Sequence, residues 1–257
     1  VITKNTSKHS KINNISSAVT AFVSFEDRIF ISSSTHHPIG ELIEFIWTNE
    51  PKWARLITRN RIYTRLKLSP LSQGMVKVAG KRYTILSEHD FFRLFYQECE
   101  NKNQTFAETT ENYWPSPIQV PRNEISIEES ANLALQLSKL SSNGIGAILL
   151  DEQMHAVSWG WNDHFSNRTL HAEIMLAKNY LFLYGRPIPK NHKLITTRLP
   201  CAMCSGYLHG HAEDFSSLTI IYIEDDPGPF AQNSILFQNS SLFTSSGLSS
   251  TAKLKQY

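Results

Sequence analysis

His171-Ala172-Glu173 and Pro200-Cys201-Ala202-Met203-Cys204, with Cys201 30 positions after His171, are the stretches on which the reading of this chain turns. Zinc accepts imidazole nitrogen and thiolate sulfur, and a catalytic zinc site uses three protein ligands plus a water. Cys201 and Cys204 are three apart, so at a helix start both thiols fall on one face. The partial positive charge of a helix N-terminus favours thiolates there. The spacing therefore predicts a metal site made of His171, Cys201 and Cys204. Zinc lowers the pKa of its water toward ~7, and Glu173, two positions after the histidine, is placed to take a proton from that water and pass it on.

Two plainer readings compete. A redox pair would explain Cys201 and Cys204 but gives His171 and Glu173 no use. A structural zinc wants a fourth protein ligand; no further cysteine is nearby, while His209 and His211 stay open as candidates. His211-Ala212-Glu213 is a second His-Ala-Glu, but it follows the cysteines near the end of their helix. A histidine there reads as a surface residue interacting with the helix C-terminus and ranks below His171 as a ligand.

Working outward, the second half alternates. Helical spacing marks Ser126–Leu140, His171–Tyr184 and Cys201–Ala212; strand patterns mark Gly144–Leu150, His155–Trp161, Lys193–Thr197 and Leu218–Glu224. That order predicts a mixed sheet covered by helices. In the first half, Ala18–Ser33 reads as a hairpin around Glu26-Asp27, and Ile39–Asn49 as a helix ended by Pro51. Val76–Leu86 reads as a strand or hairpin edge around Gly80, and Glu88–Glu100 as a helix with an aromatic face. Asn101–Pro121, polar and carrying Pro115, Pro117 and Pro121, reads as a linker. It divides the chain into an N-terminal α+β domain, 1–120, and a catalytic domain, 121–257.

The 257 residues are 41% apolar, enough for a proper core, with a net charge of +2. The charge is uneven: 15 Lys and Arg against 11 Asp and Glu in residues 1–120, then 10 against 12. No apolar run approaches the roughly 18–20 residues of a membrane span. The polar start lacks the apolar stretch of a secretory signal, and Val1 reads as a processed or truncated beginning. Three cysteines give no disulfide framework and fit a reducing, cytoplasmic compartment; Cys99 reads as a buried, inert thiol.

The pattern H-x-E…P-C-x-x-C is a zinc-deaminase signature. On Gly160-Trp161-Asn162, His171-Ala172-Glu173-Ile174-Met175 and Pro200-Cys201-Ala202-Met203-Cys204-Ser205-Gly206, the chain resembles the cytidine-deaminase-like superfamily. Within that superfamily it resembles the tRNA adenosine deaminases and related bacterial nucleic-acid-editing deaminases. The resemblance covers about residues 126–230. It implies a three-layer α/β/α fold on a central five-stranded sheet and hydrolytic deamination with one Zn2+, while the smaller α+β domain before it is read from the first half's own pattern and resembles no named family. The resemblance also implies substrate contacts from Asn162, the Ala172 backbone N–H and Asp226, and the pairing of two chains in a homodimer. The chain departs from the tRNA-deaminase pattern at Leu199, where that pattern has Glu before the proline.

Lys52–Lys67 holds Lys52, Arg55, Arg59, Arg61, Arg65 and Lys67 with no acid, interleaved with Trp53 and Tyr63. Cations beside aromatics suit phosphate contact and base stacking, though a solvated face has the same composition. The expected substrate is a base within RNA or single-stranded DNA. The alternatives are a free nucleobase or nucleoside, for which a large extra domain is unnecessary, and a non-catalytic binding or assembly module, against which Glu173 argues.

Overall fold

Strand alternation builds the second half of the computed structural model, which describes residues 18–80, 82–100, 102–108, 113–141, 143–163, 167–224 and 255–256. Ten strands are labelled in chain order: β1 Ala21–Phe25, β2 Arg28–Ser32, β3 Arg61–Thr64, β4 Arg82–Ile85, β5 Asn103–Phe106, β6 Gly146–Leu150, β7 Ala156–Trp161, β8 Lys193–Arg198, β9 Thr219–Glu224 and β10 Lys255–Gln256. The helices are α1 Pro38–Asn49, α2 Ala54–Ile57, α3 Pro70–Val78, α4 Glu88–Cys99, α5 Ile127–Ser138, α6 Ala172–Tyr184 and α7 Ala202–His211.

The second sheet runs β10-β9-β8-β6-β7. β8 and β9 are parallel and the other pairings antiparallel, so the sheet is mixed as expected. Because side chains alternate between faces, Ile148, Leu150, Ile195 and Ile221 meet α5 on one side. Ala147, Leu149, Leu194, Ile220 and Tyr222 meet α6 and α7 on the other. This is the three-layer α/β/α arrangement. α5 starts on a capping box: the Ser126 side chain accepts the Glu129 N–H while Glu129 accepts the Ser126 N–H, satisfying two helix-end donors.

The first sheet runs β4-β3-β1-β2-β5. The β1–β2 hairpin turns at Glu26-Asp27, with Glu26 at φ 54°. α4 covers one face through Phe91, Phe95 and Cys99 on Phe22, Ile29 and Ile31. α1 and α3 cover the other, and their apolar side chains join those of α6 and α7 in one cluster between the two sheets. Glu44 of α1 also pairs with Lys178 of α6.

Two expectations are corrected here. Val76–Leu86 is the end of helix α3 followed by strand β4. Ser69 caps α3 by accepting the Ser72 N–H at 3.2 Å, and Pro70 stands at its first position, where a proline costs the helix no hydrogen bond. That start carries the helix through the β-branched Val76 and Val78. The stretch read as a linker contains β5, whose residues pair in parallel register with Arg28–Ile31. Farther along the same stretch, the Trp114 N–H donates to Asn179 Oδ1 at 2.8 Å. No described helix is long and apolar enough to cross a membrane.

α3 and α7 run antiparallel, almost backbone to backbone. A Cβ on Gly74 would lie 2.4 Å from Met203 Cα, and one on Gly206 2.5 Å from the Pro70 carbonyl oxygen. Only the absence of side chains at both positions permits this approach.

Candidate metal centre

Two helix starts converge on one spot. His171 is the N-cap of α6 and Cys201 that of α7, and neither spends its side chain on capping. His171 Nδ1 lies 3.6 Å from Cys201 Sγ and 3.4 Å from Cys204 Sγ, and the two sulfurs are 3.5 Å apart. Among the described residues this is the one group of His, Cys, Asp or Glu whose donor atoms close on a common point, all within 4.8 Å. One imidazole nitrogen and two sulfurs are the donors zinc prefers, with a position left over. His209 and His211 do not join them. His211 is half-buried rather than on the surface: its ring stacks on Tyr207 at 4.0 Å and its Nδ1 donates to the Tyr207 carbonyl at 2.9 Å.

Glu173, in the first turn of α6, is buried beside this triangle. The Thr196 hydroxyl of β8, which also faces the Arg198 carbonyl, reaches Glu173 Oε1 at 3.4 Å. Oε2 has no hydrogen-bond partner among the described residues. Burial pushes the Glu173 carboxyl above its ordinary range, with Cys201 adding to the rise. The hydrogen bond with Cys204 pulls the Cys201 thiol well below its usual value. Burial pushes Cys204 the other way. Both sulfurs would be thiolates on a metal.

The strand beneath fixes where α6 begins. A Cβ on Gly160 of β7 would lie 2.1 Å from the Ala172 carbonyl oxygen, so this glycine lets the helix settle onto the sheet. Two residues on, buried Asn162 accepts the Ala172 N–H at 2.6 Å. It caps α6 from outside, and its own Nδ2 has no partner among the described residues. Asn162, Ala172, Glu173 and the three metal-binding candidates therefore come together. Asp226 lies outside the described residues. Leu199 is buried in the core between the sheets, and its N–H donates to the Glu224 carbonyl at 2.9 Å. Thr196 was not found from sequence; only its inward register on β8 marks it.

The basic run divides. Lys52, Arg55, Arg59, Arg61 and Lys67 are exposed, and so is Trp53, at 50%. Tyr63 instead stacks on Phe22 at 5.2 Å, and Arg65 donates to the Val19 carbonyl and pairs with Glu88. Register adds a cation that sequence reading missed, because Arg82 stands opposite Arg61 in the β3–β4 pair. A cleft of about 480 Å³ lined by Tyr180, Tyr184, Arg186 and His192 lies at the far end of α6, roughly 14–20 Å from His171 by helix rise. It is separate from the metal centre.

Residues 139–242 match the family model described as Bd3614-like deaminase. The match spans β6 to β9, with Asn162, His171, Glu173, Cys201 and Cys204 inside it and the first sheet outside it. Similar solved structures include one from work on A-to-I editing by tRNA:A34 deaminases at the wobble position of transfer RNA. It is 23% identical with a TM-score of 0.36, over 42% of this chain and 83% of that one. Guanine deaminase from Bacillus subtilis is 19% identical with a TM-score of 0.34, over 39% of this chain and 66% of that one. NE0047 in complex with 2,6-diaminopurine is 22% identical with a TM-score of 0.28, over 34% of this chain and 52% of that one. No curated protein matches the chain.

Proposed function

We propose that this chain, with its deaminase-family domain, is a zinc-dependent hydrolytic deaminase acting on a base within RNA or single-stranded DNA. The observation that carries the reading is the triangle of half-buried His171 and buried Cys201 and Cys204, with the buried Glu173 carboxylate beside it. Those three residues would hold the metal. Zinc in such a site supplies an acidified water, its pKa lowered to roughly 7, as nucleophile. Glu173 takes the proton of the attacking water, delivers it to the ring nitrogen and then serves the leaving ammonia; water and an amino-substituted base become a carbonyl base and ammonia. Its Oε2, which has no hydrogen-bond partner among the described residues, suits that work. Asn162 Nδ2, likewise without one among them, is the polar atom offered to the substrate.

The reading divides the labour at about residue 120, with the catalytic unit after it and the grip on a polymer before it. Support for the polymer comes from exposed Lys52, Arg55, Arg59 and Arg61 beside exposed Trp53. Ammonia release should be measured from bulk tRNA and single-stranded DNA against a panel of free nucleosides. Turnover of the nucleosides alone would refute the polymeric substrate. Glu173→Ala should abolish turnover with zinc content unchanged, and retained turnover would refute the mechanism. Changing Arg55, Arg59 and Arg61 together to Ala should weaken nucleic-acid binding without lowering zinc content.

A further inference from the structure

The geometry points to a second nucleic-acid subsite, a groove between α3 and the edge strand β4 that takes an unpaired base and its neighbouring phosphate. It rests on the polymeric-substrate reading above and names where a nucleotide outside the metal centre would sit. The groove measures about 390 Å³ and is lined by Lys67, Gln73, Val76, Lys77, Tyr83 and Ile85. That volume falls within the ~300–1,000 Å³ of small-ligand clefts.

Three features converge on this occupant. Among the described residues β4 ends its sheet, and no described strand pairs along its outer side. Tyr83 and Ile85, two apart, share one face of β4 and are 44% and 47% exposed. An aromatic ring face and a branched apolar side chain at an uncovered edge form a stacking platform that any base can use. Exposed Lys67 stands in the lining, and the described lining residues include no acid, which complements phosphate.

The third feature is position. The close approach at Gly74 sets α3 beside Ala202 and Met203, and that at Gly206 sets Pro70 one turn farther along α7. Because the helices are antiparallel, α3 travels toward the end of α7 that carries Cys201 and Cys204. Lys77 lies nearly one turn beyond Gly74 in that direction. The groove therefore runs along the helix that buttresses the metal centre, where a strand presenting one base to Glu173 would lay a flanking nucleotide.

The test uses the full chain, fluorescence anisotropy, and short labelled single-stranded RNA and DNA oligonucleotides of mixed sequence, with abasic versions of each. Stacking is worth ~1–3 kcal/mol per base, so Tyr83→Ala should weaken binding of the base-bearing oligonucleotides by at least about fivefold and leave the abasic ones unchanged. Tyr83→Phe should bind as the parent does. Lys67→Gln should weaken both kinds and lower the salt dependence by about one released ion. Thermal midpoints equal to the parent's would show that each variant is folded. Unchanged affinity of Tyr83→Ala, or equal loss on abasic and base-bearing probes, would overturn the subsite. If that happens while the triple change at Arg55, Arg59 and Arg61 weakens binding, the subsite alone falls. If the parent binds no oligonucleotide, the polymeric-substrate reading falls with it.

Discussion

Gly74→Ala pits two effects of opposite sign against each other. In an exposed helix interior, replacing glycine by alanine stabilises by roughly 1 kcal/mol through propensity. Here the new Cβ would meet Met203 Cα at 2.4 Å, the Ala202 carbonyl oxygen at 2.5 Å and Met203 N at 2.7 Å. Carbon pairs rest at about 3.5–4.0 Å, so α3 and α7 must separate by an ångström or more, and the atoms in the way are backbone that no rotamer change can move. Overpacking of this kind costs ~1–3 kcal/mol, and rigid backbone puts it at the upper end. The net expectation is a loss of about 2 kcal/mol, or roughly 4–8 °C in Tm for a chain of this size. Because Ala202 and Met203 sit between Cys201 and Cys204, the displacement should also weaken zinc binding, although Gly74 is outside the family match. Thermal unfolding and competition for zinc with a coloured chelator measure both. The exposed Gln73→Ala, expected within ~0.5 kcal/mol of the parent, is the control. A Gly74→Ala protein as stable as the parent, with parental zinc affinity, would refute the close-approach argument.

Chelation should destabilise the protein, because a metal that binds only the folded chain at 100-fold over its Kd contributes about 2.7 kcal/mol; a Tm indifferent to chelator and a zinc-free purified protein would count against the site. Asn162→Ala should cost ~1–3 kcal/mol by leaving the buried Ala172 N–H without its acceptor, read by denaturant unfolding, and a neutral result would mean water replaces the cap. Stability should also fall in mild acid through His37. Burial first, then neighbouring His211, pulls its pKa from 6.5 to about 4, so the unfolded chain binds the proton more readily. This contribution is fully present above pH 6.5 and is lost as pH falls toward 4. His37→Asn should flatten that part of the pH–stability curve, and an unaltered curve would assign the loss elsewhere.

The candidate metal centre was legible because chemistry restricts it. Zinc needs particular residue types, a helix start fixes their spacing, and a proton carrier must stand within reach, so His171, Glu173, Cys201 and Cys204 leave a pattern that survives without a structure. The second sheet was legible for a related reason: β6 and β9 are buried on both faces and carry unbroken apolar runs at Ala147–Leu150 and Ile220–Ile223, with Leu194-Ile195 of β8 between them. The first half offers no such constraint. Asn103-Gln104-Thr105-Phe106 has little strand character of its own, and only the hydrogen bonds of β2 make it β5. Val76 and Val78 suggested a strand because β-branched residues favour one, while the decisive signal was the smaller pair Ser69-Pro70. Tyr63 and Arg65 were grouped with the exposed cations because sequence proximity does not say which face of a strand a residue takes. Gly74 and Gly206 were least legible, since a glycine that admits another backbone looks like any other until its partner helix is known. Yet that pair presses the first half against the helix of Cys201 and Cys204. The metal geometry is therefore predicted to depend on residues far outside the signature, and the N-terminal half acts on the site as a supporting wall whatever it binds.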